Sequence, residues 1–387
     1  MSDTPTKALA AKALLPTGLR DLLPPDAEHE AQIVGRLLKE FHRHGYERVK
    51  PPLVEFEEGL LSGSAAALAN QTFRIMDPVS QRMMGVRSDM TPQVARIAAT
   101  RLRKAARPLR LSYAGQVLRV KGSSLRQERQ FGQVGVELIG PDRAEADAEI
   151  VLLAASALAA VGAKGVSIDL TVPTLVPAVA QALSLTGDDY ARLRSALDHR
   201  DAKALAEAAG PHADLFSAIL GASGPAPAAV ERLAAIALPP VAEAARQRLT
   251  EVVALIGQAA PHLAVTIDPV EMRGFEYQTG VSFTLFARGV RGEVGRGGRY
   301  RTGGDSPVGE PAIGFTIFTD TVLRAIPGPQ PVRRVLLPLG TDYAEASALR
   351  AQGWHTVAAM DACDDPVAEA KRLGCSHLLR QGVPEAL

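Results

Sequence analysis

Several things are scarce in this chain, and each scarcity closes a route. Only two cysteines occur in 387 residues, Cys363 and Cys375, with no CxxC and no His/Cys ligand cluster beside them. Neither a disulfide framework nor a zinc site is indicated, and a reducing compartment is expected. Aromatic residues make up 4% against 47% hydrophobic residues, so the core must be built mainly from Ala, Val and Leu. Charge of one sign is also missing: 43 Lys+Arg oppose 42 Asp+Glu for a net +1. A protein whose main work is gripping a polyanion usually carries a basic excess, although a local patch stays open. No run reaches the ~18 apolar residues that span a bilayer, and Met1 to Ala13 lacks the apolar stretch of a secretory signal. A cytoplasmic protein of two or three structural units is expected at this length.

The first 14 residues, rich in Ala, Thr and Lys, read as a flexible tail. After Pro24-Pro25, Asp26 is placed to cap a helix whose apolar positions Ile33, Val34, Leu37, Leu38 and Phe41 recur at spacings of three and four, and Gly45 ends it. Tyr46 to Val49 reads as a strand running into Pro51-Pro52. Phe73 to Met76 and Arg82 to Arg87 read as a hairpin. A helix follows, with Thr91 as its cap, Pro92 in its first turn and Val94, Ile97, Ala98 and Leu102 as its apolar stripe. Leu109 to Val120 and Arg129 to Ile139 form a second hairpin around the polar stretch Lys121 to Glu128. Asp142 with Glu145 then opens an Ala/Leu helix reaching about Ala160. An Ala-rich helical insertion covers about 177–261. Strands return at Leu263 to Ile267 and Val281 to Phe286, ahead of a glycine-dense stretch from Gly289 to Gly304 and a linker at Pro327 to Pro331. The remainder, 332–387, reads as a small α/β unit.

The most informative alternation lies in Arg129 to Leu138. Val134, Val136 and Leu138 share one face, and Arg129, Phe131, Gln133, Gly135 and Glu137 share the other. One reading is an antiparallel sheet with one wet face. The other is a ligand site in which Gly135 leaves space between an amide and a carboxylate suited to an amine or an imidazole. Arg87, Asp89 and Arg119 sit at neighbouring strand ends. Arg273-Gly274 can present a guanidinium fork to a carboxylate or phosphate, or can be a turn with a solvated arginine. Gly295-Arg-Gly-Gly-Arg-Tyr300 is neither a Walker loop nor a GxGxxG turn, and no nucleophile elbow accompanies the eight histidines.

Taken together, 15–326 resembles the catalytic core of class II aminoacyl-tRNA synthetases, and specifically the histidyl branch. The first helix, strand and Pro52 are similar to the first class II motif, which the resemblance implies is a dimer interface. Leu118-Arg119, the polar loop and Arg129-Gln-Phe-Gly-Gln133-Val-Gly-Val-Glu137 resemble the second. Gly297-Gly-Arg-Tyr300 through Ala312-Ile-Gly314-Phe315 resembles the approach to the third, and Arg273-Gly274-Phe-Glu-Tyr277 the peptide peculiar to histidyl enzymes. The resemblance implies an α+β fold: an antiparallel sheet flanked by helices, with a helical insertion and a small C-terminal α/β domain. It also implies a histidine site. Asp89 and Thr91 would hold the α-amino group, Gln133 and Glu137 would line the pocket with Tyr300 near the imidazole, and Tyr277 would belong to the histidyl peptide. Arg119 and Arg273 would face the carboxylate and the phosphate of an adenylate.

The chain departs from that family where ATP would sit. Val120-Lys121-Gly122-Ser123 replaces a Glu-Arg-Pro-type run after Arg119, and Thr321 stands at the place of an arginine, whose charged planar fork a threonine cannot supply. Tyr277-Gln278 replaces a Tyr-Tyr pair. The stretch 332–387 is shorter than an anticodon-binding domain, and its six Lys+Arg against seven Asp+Glu leave −1, the wrong lean for gripping tRNA. A retained amino-acid pocket with an altered ATP site resembles the regulatory subunits of ATP phosphoribosyltransferase. That resemblance implies a non-catalytic, hetero-oligomeric subunit without cofactor or metal. It would pair with a short-form catalytic subunit and with itself, take L-histidine as effector, and bind neither tRNA nor membrane. The alternative is a working histidyl-tRNA synthetase.

Overall fold

A computed structural model of the chain describes residues 14–61, 68–122, 126–272, 278–303 and 309–387. The first 13 residues, most of the expected tail, lie outside these. The chain divides into two compact units, Met1–Gly328 and Pro329–Leu387.

The strands of the larger unit are β1 (Glu47–Arg48), β2 (Val54–Phe56), β3 (Arg74–Met76), β4 (Met83–Val86), β5 (Leu109–Leu118), β6 (Gln130–Ile139), β7 (Ser167–Thr171), β8 (Gly224–Pro225), β9 (Ala264–Ile267), β10 (Ser282–Phe286), β11 (Gly295–Arg301) and β12 (Pro311–Phe318). A nine-stranded sheet runs in the order β1-β5-β6-β12-β11-β10-β7-β9-β8, and β2-β4-β3 form a separate three-stranded sheet. From β5 to β7 every pairing in the large sheet is antiparallel, while β1–β5 and β7–β9 pair in parallel. This is the α+β architecture that the sequence motifs imply.

Helix Asp26–Arg43 forms because its apolar residues recur on one face, and Ile33, Leu37 and Phe41 are buried there. Burying each side chain of this size contributes about 1.5–3 kcal/mol before entropy is set against it. Gly45 follows the helix at φ +82°, a conformation that suits glycine. The expected caps are not used. No side chain caps the 26–43 helix, and Asp26 lies in its first turn. Thr91 does not cap helix Thr91–Thr100. Its N–H donates instead to Asp89 Oδ1 at 2.9 Å. Helix Ala144–Ala160 has no side-chain cap either, because Asp142 faces Arg248 and Arg299 at 3.2 and 3.5 Å. At Asp142 longer-range partners outcompete the local turn.

Both faces of β6 are covered, which overturns the wet-face reading. Val134, Val136 and Leu138 pack into one core with helices 26–43 and 144–160. On the other face, Phe131 and Ile139 join a second core with Met90, Val94 and Ala98 from helix 91–100. Gln133 and Glu137 lie on this second face and are buried, at 0% and 1% exposure. The expected free space at Gly135 is also absent. An ideal Cβ there would come within 3.0 Å of the Phe315 carbonyl and the Tyr113 phenol, so the glycine makes room for a phenol of this chain.

The glycine-dense stretch, which carries no helix or strand signal in the sequence, contains β11. Gly295, Gly297 and Gly298 are small because β10 and β12 press against them. Successive residues of β11 then point to opposite faces, Arg299 toward helix 144–160 and Tyr300 toward the second core. Helices from Leu175–Ala182 to Pro240–Ala259 fill the stretch that the sequence reads as a helical insertion. The last of them is tied to the core by Arg248, which donates to Asp147 Oδ2 at 3.2 Å.

The smaller unit contains β13 (Arg334–Leu337), β14 (His355–Ala358), β15 (His377–Arg380) and β16 (Val383–Ala386), ordered β14-β13-β15-β16. Its helices Tyr343–Ala351 and Pro366–Arg372 are capped by Asp342 and Asp365. Among the described residues no helix is long and apolar enough to cross a membrane.

Candidate functional site: a buried carboxyl cluster on the central sheet

The register of the sheet assembles the site. Tyr113 on β5 and Thr316 on β12 both stand directly opposite Gly135 on β6. The Tyr113 phenol spans the glycine to meet Thr316 Oγ1 at 2.7 Å, donates to Glu137 Oε1 at 3.2 Å, and lies 3.3 Å from Thr91 Oγ1. Tyr300, one strand further along the sheet, donates to Glu137 Oε2 at 2.9 Å. Glu137 is therefore held on both oxygens by phenols. Among the described residues no arginine, lysine or histidine forms an ion pair with it.

Burial pushes the Glu137 carboxyl from its usual 4.5 up to about 8, and the charge of Asp89 adds to the rise. Hydrogen bonds from Tyr300, Thr91 and Tyr113 hold it down only in part. The Tyr113 hydroxyl is raised well above 10 by burial, helped by the negative charges of Glu137 and Asp89. A carboxyl this costly to ionise gains from any ligand that brings a positive charge or a strong donor.

The second part of the site is an amide–carboxylate relay. Gln133 Oε1 accepts the Met90 N–H at 2.9 Å, and its Nε2 donates to Asp89 Oδ2 at 3.2 Å. This orients Gln133 and holds the start of helix 91–100 against the sheet. Arg119 lies beside it, Nη2 at 4.0 Å from Asp89 Oδ2, with Nε donating to the Ser88 carbonyl at 3.3 Å. The arginine also lies over the Phe131 ring at 5.0 Å from its centroid. Arg87 is buried and spent on structure. It donates to the Gln116 and Pro51 carbonyls at 2.7 and 3.2 Å, and burial lowers its pKa.

Of the residues singled out from the sequence, Asp89, Thr91, Gln133, Glu137 and Tyr300 come together, with Arg119 at the edge. Arg273 and Tyr277 lie outside the described residues. Tyr113 and Thr316 join the Glu137 cluster and are not among the residues that the sequence singles out. Their signal was indirect: a glycine on the polar face of one strand calls for a large side chain opposite it, which becomes visible only once the register is known. No group of three or more potential metal ligands occurs among the described residues.

Residues 18–322 match the family model described as histidyl-tRNA synthetase. An ATP phosphoribosyltransferase regulatory subunit of Rhodospirillum centenum is 69% identical over 99% of this chain and 98% of its own length. The protein of the same name from Paramagnetospirillum magneticum is 59% identical over 96% and 97%. A solved structure from Bacillus halodurans, described as an ATP phosphoribosyltransferase regulatory subunit/histidyl-tRNA synthetase, superposes with a TM-score of 0.80. It covers 93% of this chain and 96% of that one at 23% identity, which speaks to the fold. With residues 18–322 matched by that model and relatives matched over nearly their full length, the chain belongs to the family of ATP phosphoribosyltransferase regulatory subunits built on the histidyl-tRNA synthetase fold.

Proposed function

We propose that this chain is the non-catalytic subunit a short-form ATP phosphoribosyltransferase requires for activity, and that L-histidine in the pocket around Glu137 inhibits the assembled enzyme. The observation that carries the histidine reading is the bonding of Glu137: a fully buried carboxyl with two phenolic donors and no ion-pair partner among the described residues. An imidazole N–H supplies a further donor of the right size. Asp89 and the Thr91 hydroxyl receive the α-ammonium group, Gln133 orients Asp89, and Tyr300 keeps Glu137 facing the imidazole. Arg119 attracts the carboxylate. Arg273 completes its recognition and Tyr277 closes the ring site, both as extensions from the family motif.

The partner joins ATP and phosphoribosyl pyrophosphate to give phosphoribosyl-ATP and pyrophosphate. Histidine controls it only if it binds two states of the assembly with different affinity, and typical couplings of about 1–3 kcal/mol suffice. Reciprocity follows, so the partner's substrates alter histidine affinity in turn. Self-association belongs to the region of the first motif; beyond it, Leu53 and, in the β3–β4 hairpin, Ile75, Met76 and Val79 also expose apolar surface. tRNA has no role in this reading, and the setting is cytoplasmic.

The test is to mix the purified chain with a short-form catalytic subunit and follow phosphoribosyl-ATP formation. Activation on mixing, reversed by histidine, is expected; absence of activation would overturn the proposal. The synthetase reading is disfavoured by Thr321 and by the run 120–123, and it predicts histidine-dependent exchange of pyrophosphate into ATP, which we expect to be absent.

A further inference from the structure

Near the Glu137 pocket lies a second polar enclosure that the regulatory reading leaves unused. Phe131 on β6 and Phe318 at the end of β12 meet edge to face, with centroids 5.8 Å apart and planes at 81°. Helix Thr319–Ala325 starts immediately beyond, and its Asp320 and Thr321 are buried at 7% and 2% exposure. Asp320 Oδ2 faces Arg126 Nε at 3.6 Å and Arg324 Nη2 at 3.9 Å, and accepts from the Thr321 hydroxyl at 3.4 Å. Its other oxygen, Oδ1, is buried with no hydrogen-bond partner among the described residues. A buried carboxylate oxygen left short of a donor is costly, so this corner is built to take one more.

Arg126 enters the corner from the connection between β5 and β6. Its guanidinium carbon lies 4.5 Å from the Phe131 centroid and 3.9 Å from the Phe318 centroid, and Nη2 donates to Thr321 Oγ1 at 3.1 Å. The side chain is only 12% exposed. Two ring faces, a carboxylate and a hydroxyl form a receptor for a flat group edged with N–H donors. A guanidinium meets that description, and so does an aminopurine, whose ring stacks on aromatic side chains and whose exocyclic amine can reach a carboxylate.

We propose that Arg126 is an internal plug: its guanidinium occupies the corner formed by Phe131, Phe318, Asp320 and Thr321 and closes it to an external nucleobase. The inference concerns this corner alone and does not depend on the catalytic partner or on histidine. In this arrangement the place where a base would stack is filled by the chain's own side chain.

The full-length chain and its R126A variant test this by titration with adenosine, which lacks the phosphates that other surface arginines would attract. The plug predicts binding to R126A at least tenfold tighter than to the unaltered chain. Methylguanidinium at millimolar concentration should compete with adenosine for R126A and raise its Tm, while leaving the Tm of the unaltered chain unmoved. Equal adenosine binding by the two proteins, including none by either, would overturn the proposal, as would failure of methylguanidinium to compete. Should R126A not give a native circular-dichroism spectrum, R126Q keeps much of the aliphatic stem and is read by the same titrations.

Discussion

Two buried carboxylates stand on opposite faces of the central sheet, and adjacent residues of β11 serve them. Asp147 is fully buried and receives Arg299, which donates through Nε at 2.8 Å and also through Nη2, and Arg248 at 3.2 Å. Glu137, equally buried, receives two phenols and no cation among the described residues. Burial raises both carboxyls, and in Asp147 the two arginines oppose the rise. Asp147 is a closed ion-pair cluster that joins the 144–160 helix, β11 and the inserted segment. Glu137 is an open one. Under the proposed function the difference separates a residue that holds the fold from one that receives a ligand, and burial alone does not distinguish them.

The largest expected effect breaks the closed cluster. Arg299→Ala leaves Asp147 buried without its main partner and should cost about 3–5 kcal/mol of stability, read from urea unfolding. If the comparison is right, Glu137→Gln behaves in the opposite way. It removes a carboxyl that burial disfavours, so stability holds or rises, while histidine affinity measured by calorimetry falls roughly ten- to a hundredfold for the loss of an acceptor that becomes charged when an imidazole proton pairs with it.

The two clusters also part with pH. The folded-state value for Glu137, about 8, lies above the 4.5 of an unfolded carboxyl. Its contribution to stability is therefore present in full below 4.5 and is lost as pH rises through 8. Unfolding free energies of the ligand-free chain across that window should decline with pH, and Glu137→Gln should flatten the decline. The smallest effect belongs to Tyr300→Phe. Losing one phenolic donor should cost about 1 kcal/mol in stability or a few-fold in histidine affinity, by the same two measurements.

Much of the fold was legible in the sequence because its periodicities are strong. The buried stripe Ile33, Leu37 and Phe41 and the paired strands β5 and β6 follow directly from spacing. The misses share one physical cause, competition from partners distant in the chain. Asp142 and Thr91 look like caps when only neighbours are considered, but Arg248, Arg299 and Tyr113 claim them. Gly295 to Gly298 look like loop because glycine usually marks one, yet they are the thin part of a strand pressed between β10 and β12. In the site, Gln133 and Glu137 were visible from alternation. Tyr113 was not, since only register shows that the space beside Gly135 belongs to its phenol.

The central claim is that histidine acts through Glu137. The most direct test is the histidine inhibition curve of the enzyme assembled from a short-form catalytic subunit and either this chain or its Glu137→Gln variant, with assembly verified by size-exclusion chromatography. The account predicts that the variant assembles and that half-inhibition moves to at least tenfold higher histidine. An unchanged curve would contradict it and place the inhibitory site elsewhere.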